Sequence, residues 1–150
     1  MTKGVYALII KNHKDQNLQI GKLGTFLFPQ GLYVYIGSAL GSSATNLEYR
    51  LRRHLAKTKK VFWHIDFFLQ AEFVEILTIV YAVTSEKREC QLAGAISQIE
   101  NAQSIIPRFG SSDCACISHL PYFAVEKDNL LELIKISFIK IDLEPHIWQT

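Results

Sequence analysis

Apolar and polar positions along the chain fall into blocks of two different periods. Residues 5–10 (VYALII) are apolar throughout and rich in branched side chains, which predicts a buried strand. Residues 11–17 are polar and turn-like. Two short segments, 18–22 and 26–28, flank Gly24 and predict a hairpin-like excursion that ends at Pro29-Gln30-Gly31. Residues 32–36 (LYVYI) predict a second strand, and residues 37–43 (GSALGSS) a loop of small residues. From Asn46 the period becomes helical: Leu47, Leu51 and Leu55 share one face, and Arg50, His54 and Lys57 a neighbouring one.

The aromatic run at 62–69 predicts a short helix, and residues 73–83 a long apolar strand or strand pair. Thr84 or Ser85 is a candidate cap for a helix over 86–101. Residues 108–119 read as a loop and 122–125 as a final strand. Asp128 is a candidate cap for a last helix through Ile136. Early strands joined by short turns pair antiparallel. The expected fold is α+β: a small, mostly antiparallel sheet of about three core strands with an extra hairpin, flanked by helices. One domain over 1–150 is expected, with a core at about 3–105 and an extension at about 106–150.

Composition narrows this picture. A chain of 150 residues fits one domain and buries a substantial core without staples. Hydrophobic residues make up 49% of the chain, which excludes a disordered tail. No apolar run reaches the roughly 18 residues of a membrane span. The apolar stretch near the N-terminus is too short for a signal peptide and lacks a small-residue cleavage site. These features point to a cytoplasmic protein that does not enter the membrane. The net charge of +2 says little, but six of the sixteen basic residues fall within 50–60: Arg50, Arg52, Arg53, Lys57, Lys59 and Lys60. Such a segment is either a solvated helix face or a phosphate-attracting one.

Four features depart from ordinary packing. Glu89 falls on the apolar stripe of Leu92, Ala93 and Ile96, where a carboxylate is costly unless paired or metal-bound; in a first helical turn it would instead complement the helix dipole. Arg50 and His54 are spaced i, i+4 and point the same way. They read as a surface pair, or as a phosphate clamp with a proton carrier beside it. Tyr6, Tyr33 and Tyr35 are strand tyrosines, which ordinarily pack with a wet hydroxyl. Cys114, Cys116 and His119 offer two thiols and an imidazole within one loop. They form a structural loop, part of a zinc site with Cys90, His64 or Asp113 as a fourth ligand, or a thiol centre. An odd count of three cysteines is a poor disulfide framework.

Taken together, the first ninety or so residues resemble the GIY-YIG nuclease superfamily. Gly4-Val5-Tyr6 matches its first motif with Val in place of Ile, and Tyr35-Ile36-Gly37 matches its second. Arg50 stands where the family has its helix arginine, and Glu89 where it has its metal-binding glutamate. The longer pattern is similar to an uncharacterised branch of that superfamily. Its marks are Gly21-Lys22-Leu23-Gly24, Tyr33 to Ala39, Arg53-His54, Trp63-His64-Ile65-Asp66 and Phe109-Gly110-Ser111-Ser112-Asp113-Cys114. In some relatives that domain is fused to an endonuclease III-like repair enzyme.

The resemblance implies a DNA endonuclease, possible work in DNA repair beside a repair-protein partner, and a Mg²⁺ or Mn²⁺ cofactor. It implies that Tyr6 or Tyr35 orients or deprotonates the attacking water, with Arg50 on the phosphate and Glu89 on the metal. His54 joins this catalytic set as the partner of Arg50. The 50–60 basic residues would hold nucleic acid. Two departures stand out. The gap between Tyr6 and Tyr35 is longer than the family usually has, with residues 16–30 looking inserted. Trp63-His64-Ile65-Asp66 is foreign to the common nucleases, and His64 and Asp66 read as site residues or as packing for the short helix. A module that binds nucleic acid without cutting it is the alternative, and a different enzyme built on Cys114 and His119 a third reading.

Overall fold

The computed structural model describes residues 2–41, 46–57, 59–110, 116, 118–124 and 129–149. Asp113 and Cys114, the Asp128 cap and the Val125 end of the last strand lie outside the described residues.

The uninterrupted apolar run forms β1 (Gly4–Asn12), the middle strand of the main sheet. Its lack of polar alternation has a direct cause: both faces of the strand are covered. β4 (Gly31–Ala39) pairs with one edge of β1 and β5 (Val74–Val83) with the other, both antiparallel. Residues 73–83 therefore supply one strand rather than a pair. The segment inserted between β1 and β4 forms a separate two-stranded sheet, β2 (Gln16–Ile20) with β3 (Gly24–Phe28). Two-residue edge strands, β6 (Tyr122–Phe123) and β7 (His146–Ile147), complete the five-stranded sheet in the order β6-β4-β1-β5-β7. The fold is α+β and antiparallel, as the sequence predicts. β7 is an addition: two residues carry too little pattern to be read from sequence.

Alternation along β1 builds two cores. Val5, Ala7 and Ile9 face α3 (Glu89–Ser97) and α4 (Leu130–Lys140), packing with Leu92, Ile96, Ile134 and Phe138. Tyr6, Leu8 and Ile10 face α1 (Leu47–Leu55), α2 (His64–Leu69) and the β2–β3 hairpin, packing with Leu51, Ile65 and Phe68. α3 is shorter than the predicted 86–101. Thr84 accepts from the Glu86 amide at 3.1 Å, which makes a turn instead of a cap, and the helix begins at Glu89. α4 runs past Ile136 to Lys140 because Phe138 still falls on its buried face.

The inserted hairpin is tied to the frame from below. Buried Asn12 donates from Nδ2 to the carbonyls of Phe28 at 3.0 Å and Pro29 at 3.1 Å. Phe28 stacks on Phe68 of α2 with ring centroids 4.8 Å apart, and Tyr33 meets Phe68 edge-on at 5.0 Å. Tyr33 donates its hydroxyl to the Pro29 carbonyl at 2.6 Å, so it is a packing tyrosine. Phe68 joins α2, the hairpin and β4. Phe68→Ala is expected to cost about 3–5 kcal/mol and to lower Tm by roughly 10 °C. A thermal melt with a shift of only a degree or two would show that the hairpin does not depend on this cluster.

A candidate active site between the sheet and the first two helices

Cross-strand pairing sets the site. Tyr6 on β1 lies directly opposite Gly37 on β4, and Leu8 opposite Tyr35. A Cβ built on Gly37 would fall 2.6 Å from the Tyr6 hydroxyl. Glycine there leaves the surface that the tyrosine ring covers. The ring crosses β4 and reaches α1, where its hydroxyl meets His54 Nε2 at 2.7 Å. Tyr35, on the same face, has its ring centroid 6.4 Å from that of Tyr6.

These residues form one wall of a pocket of about 370 Å³, lined by Tyr6, Tyr35, Gly37, Ser38, Arg50, Phe62, Trp63, His64, Glu89 and Gly110. Tyr6, Tyr35, Arg50 and Glu89 come from two strands and two helices far apart in sequence, and the fold brings them to this one concavity. Arg50 donates from Nη1 to the Ser38 carbonyl at 2.7 Å, and its guanidinium carbon stands 4.6 Å from the centre of the Trp63 ring. The arginine is thereby aimed. Glu89 is the first residue of α3, at the positive end of the helix, and its side chain retains 15% of its exposure. Lys87 Nζ approaches it at 3.9 Å from solvent.

His54 does not line this pocket. It is buried behind Tyr6, and burial, aided by the positive charge of Lys59, pulls its pKa down to about 3. The imidazole is neutral at physiological pH, and its Nδ1 has no hydrogen-bond partner among the described residues. Burial likewise holds Tyr6 far above the usual tyrosine range, with Tyr35 adding to the rise. His54 is therefore a support for Tyr6, and neither the surface pair nor the proton carrier beside Arg50 that the i, i+4 spacing suggested is what this geometry offers.

The basic segment is more dispersed than its sequence implies. Arg53 grips Asp66 with both nitrogen arms of the pair, at 2.8 and 3.0 Å, and also lies over Trp63 at 4.4 Å. Lys59 donates to the carbonyls of Arg53, His54 and Ala56, closing the C-terminus of α1. Arg52 borders Trp148 elsewhere, and Lys57 lines a different hollow. Lys60 is exposed. Of the six, Arg50 alone lines the pocket.

Trp63-His64-Ile65-Asp66 divides between two roles. Burial alone would raise Asp66, but bonds from Arg53 and from the Trp63 and Phe62 amides outweigh it and hold its carboxyl below the usual range. Asp66 thus starts α2 and anchors Arg53. His64 accepts from the Gly110 amide at Nδ1, 2.9 Å away, and burial lowers its pKa. A neutral His64 then carries its proton on Nε2. His64, Trp63 and Phe62 are pocket residues that sequence reasoning left undecided or did not select. The unusual aromatic run was the available signal. Among the described residues the inserted hairpin contributes none to the lining, and it reaches α2 through the packing of Phe28 on Phe68.

A second cluster lies just across α3. Cys90, Cys116 and His119 bring their ligand atoms within 4.8 Å of one another, a group that could hold a metal ion. Cys90, one of the three candidates for a further ligand, joins Cys116 and His119, and Cys114 lies outside the described residues.

Among the described residues no helix is long and apolar enough to cross a membrane. The family model described as Domain of unknown function DUF123 matches residues 5–140. No curated protein and no solved structure matches the chain.

The buried His54 gives a pH test. Its folded pKa of about 3 lies below its ordinary 6.5, so unfolding takes up a proton between these values. Stability is full above about pH 6.5 and falls as pH drops toward 3. The slope in that window should approach about 1.4 kcal/mol per pH unit from this group. Denaturant midpoints measured from pH 7.5 to 4.5 should show that slope flattened in His54→Gln. Equal slopes in both proteins would refute a neutral buried His54.

Proposed function

The chain belongs to the DUF123 family, and we propose that it is a metal-dependent endonuclease that hydrolyses DNA phosphodiester bonds, of the GIY-YIG type that its motifs resemble. One observation carries the reading: Tyr6, Tyr35, Arg50 and Glu89 line a single pocket of about 370 Å³, with His64 beside them. In-line displacement at a phosphodiester needs negative charge neutralised at the phosphate and an oriented water.

Arg50 supplies the first requirement. With Nη1 fixed on the Ser38 carbonyl, the rest of its guanidinium fork presents donors to phosphate oxygens. Among the described residues Glu89 is the one carboxylate of the lining, and this fits Mg²⁺ or Mn²⁺, which is often held by one or two carboxylates plus water and substrate phosphate. When bound, such an ion would neutralise phosphate charge and lower the pKa of the attacking water.

Tyr6 stays a neutral phenol, so its role is orientation. Its hydroxyl is held against His54 Nε2 at 2.7 Å and hydrogen-bonds the Arg50 guanidinium, which keeps the phenol oxygen on the pocket wall beside that arginine. Tyr35 and the Nε2–H of a neutral His64 are further hydrogen-bonding groups on the lining.

Phe62 supports nucleic acid as the substrate. It borders the pocket with 73% of its surface exposed, and an aromatic ring left in water beside a phosphate clamp suits base stacking. A module that only binds nucleic acid is less well supported. Arg53 and Lys59 are committed to Asp66 and to α1 carbonyls, and the exposed Arg52, Lys57 and Lys60 do not line the pocket, so the six do not gather into one basic face around it.

The test is cleavage of single-stranded, duplex, flapped and branched DNA with Mg²⁺ or Mn²⁺. Wild type is expected to cut at least one, and only with added metal. Glu89→Gln and Arg50→Ala should each lose about 10²–10³ in kcat, the scale of removing one transition-state electrostatic contact. No cleavage by wild type, or equal cleavage by Glu89→Gln, would end the proposal.

A further inference from the structure

We propose that Cys90, Cys116 and His119 form a zinc site that locks the first turn of α3 to the segment beside β4. This site is separate from the Glu89 pocket and its ligands are of a different kind. Two thiols and an imidazole make a soft set suited to Zn²⁺ and poorly suited to Mg²⁺.

Geometry brings the three donors together from separate parts of the chain. Cys90 Sγ lies 3.8 Å from His119 Nε2 and 2.7 Å from Cys116 Sγ. Around a tetrahedral Zn²⁺, with Zn–S near 2.3 Å and Zn–N near 2.0–2.1 Å, adjacent ligand atoms are separated by about 3.5–3.8 Å. The Cys90–His119 distance already matches. The sulfurs need to part by about 1 Å, which side-chain rotation at two half-buried cysteines supplies. Cys90 is the second residue of α3, so its position is fixed by the helix start.

The backbone around the third ligand is fixed before any metal arrives. The His119 amide donates to the Phe109 carbonyl at 2.7 Å, and its carbonyl accepts from Ile36 of β4 at 3.0 Å. His119 is buried, with its Cβ close to Gly110. An ion here joins this braced segment to α3. Glu89 immediately precedes Cys90, and Gly110 holds His64, so the zinc would stiffen both sides of the neighbouring pocket.

The whole chain, purified under reducing conditions, is analysed for metal and titrated with Co²⁺ after zinc removal. Expected are about one zinc per chain, a thiolate-to-cobalt charge-transfer band with tetrahedral d–d bands, and a lower Tm after zinc removal. Cys90→Ser and Cys116→Ser, each checked for folding by circular dichroism, should each lose at least half of the charge-transfer intensity. His119→Asn should shift the d–d bands with the thiolate band retained. Less than a tenth of an equivalent of zinc together with no Co²⁺ band would overturn the proposal. So would a full band in either cysteine variant, or a protein two mass units light that binds no metal, its thiols paired as a disulfide. None of these readouts depends on DNA cleavage.

Discussion

The hydrogen bond between Tyr6 and His54 across the bare backbone of Gly37 organises the site. It joins β1 to α1 over β4, so three elements meet at one phenol oxygen. Each partner constrains the next. Gly37 has no side chain because the Tyr6 ring fills that space. His54 is buried and neutral because the ring covers it. Arg50, one turn earlier on α1, is carried to the pocket mouth and fastened on Ser38, the neighbour of Gly37. Losing the tyrosine would therefore disturb the placement of the arginine as well as remove an oxygen.

A second layer of constraint holds the opposite wall. Asp66 receives Arg53 and two backbone amides, which sets α2 and the aromatic pair Phe62 and Trp63 against α1. Trp63 in turn lies beneath both Arg50 and Arg53. Arg53 and Lys59 are thus internal structure, and of the six basic residues in 50–60 Arg50 alone lines the pocket. On α3, consecutive residues serve two places: Glu89 lines the pocket and Cys90 the thiol–imidazole cluster. Residues adjacent in a helix point in different directions, so one helix start can face two sites.

The strands and the first helix were legible in sequence because their patterns are strong and local. VYALII and LYVYI are apolar, and Leu47, Leu51 and Leu55 recur at helical spacing. Tyr6, Tyr35, Arg50 and Glu89 were legible by type and order, and the fold gathers them. What was not legible depends on long-range packing. His54 is buried among Tyr6, Tyr35 and Trp63, and the first of these is forty-eight residues away. Arg53 and Lys59 look like free charges until Asp66 and the end of α1 are placed beside them. Cys90 was one of three candidates to join Cys116 and His119, and the choice of it over His64 spans twenty-six residues or more and has no local spacing rule. The edge strand β7 was missed because two residues carry too little pattern, and α3 was started too early because the Thr84 that looked like its cap makes a turn.

The central claim is that this pocket holds a divalent metal on Glu89 and a DNA phosphate on Arg50. Crystals grown with a short DNA and Mn²⁺ test it most directly. The account predicts a manganese anomalous peak about 2.1–2.2 Å from a Glu89 carboxylate oxygen, a distance usual for such ions, with a phosphate oxygen on the Arg50 guanidinium. DNA bound on another face, or manganese that avoids Glu89, would contradict it.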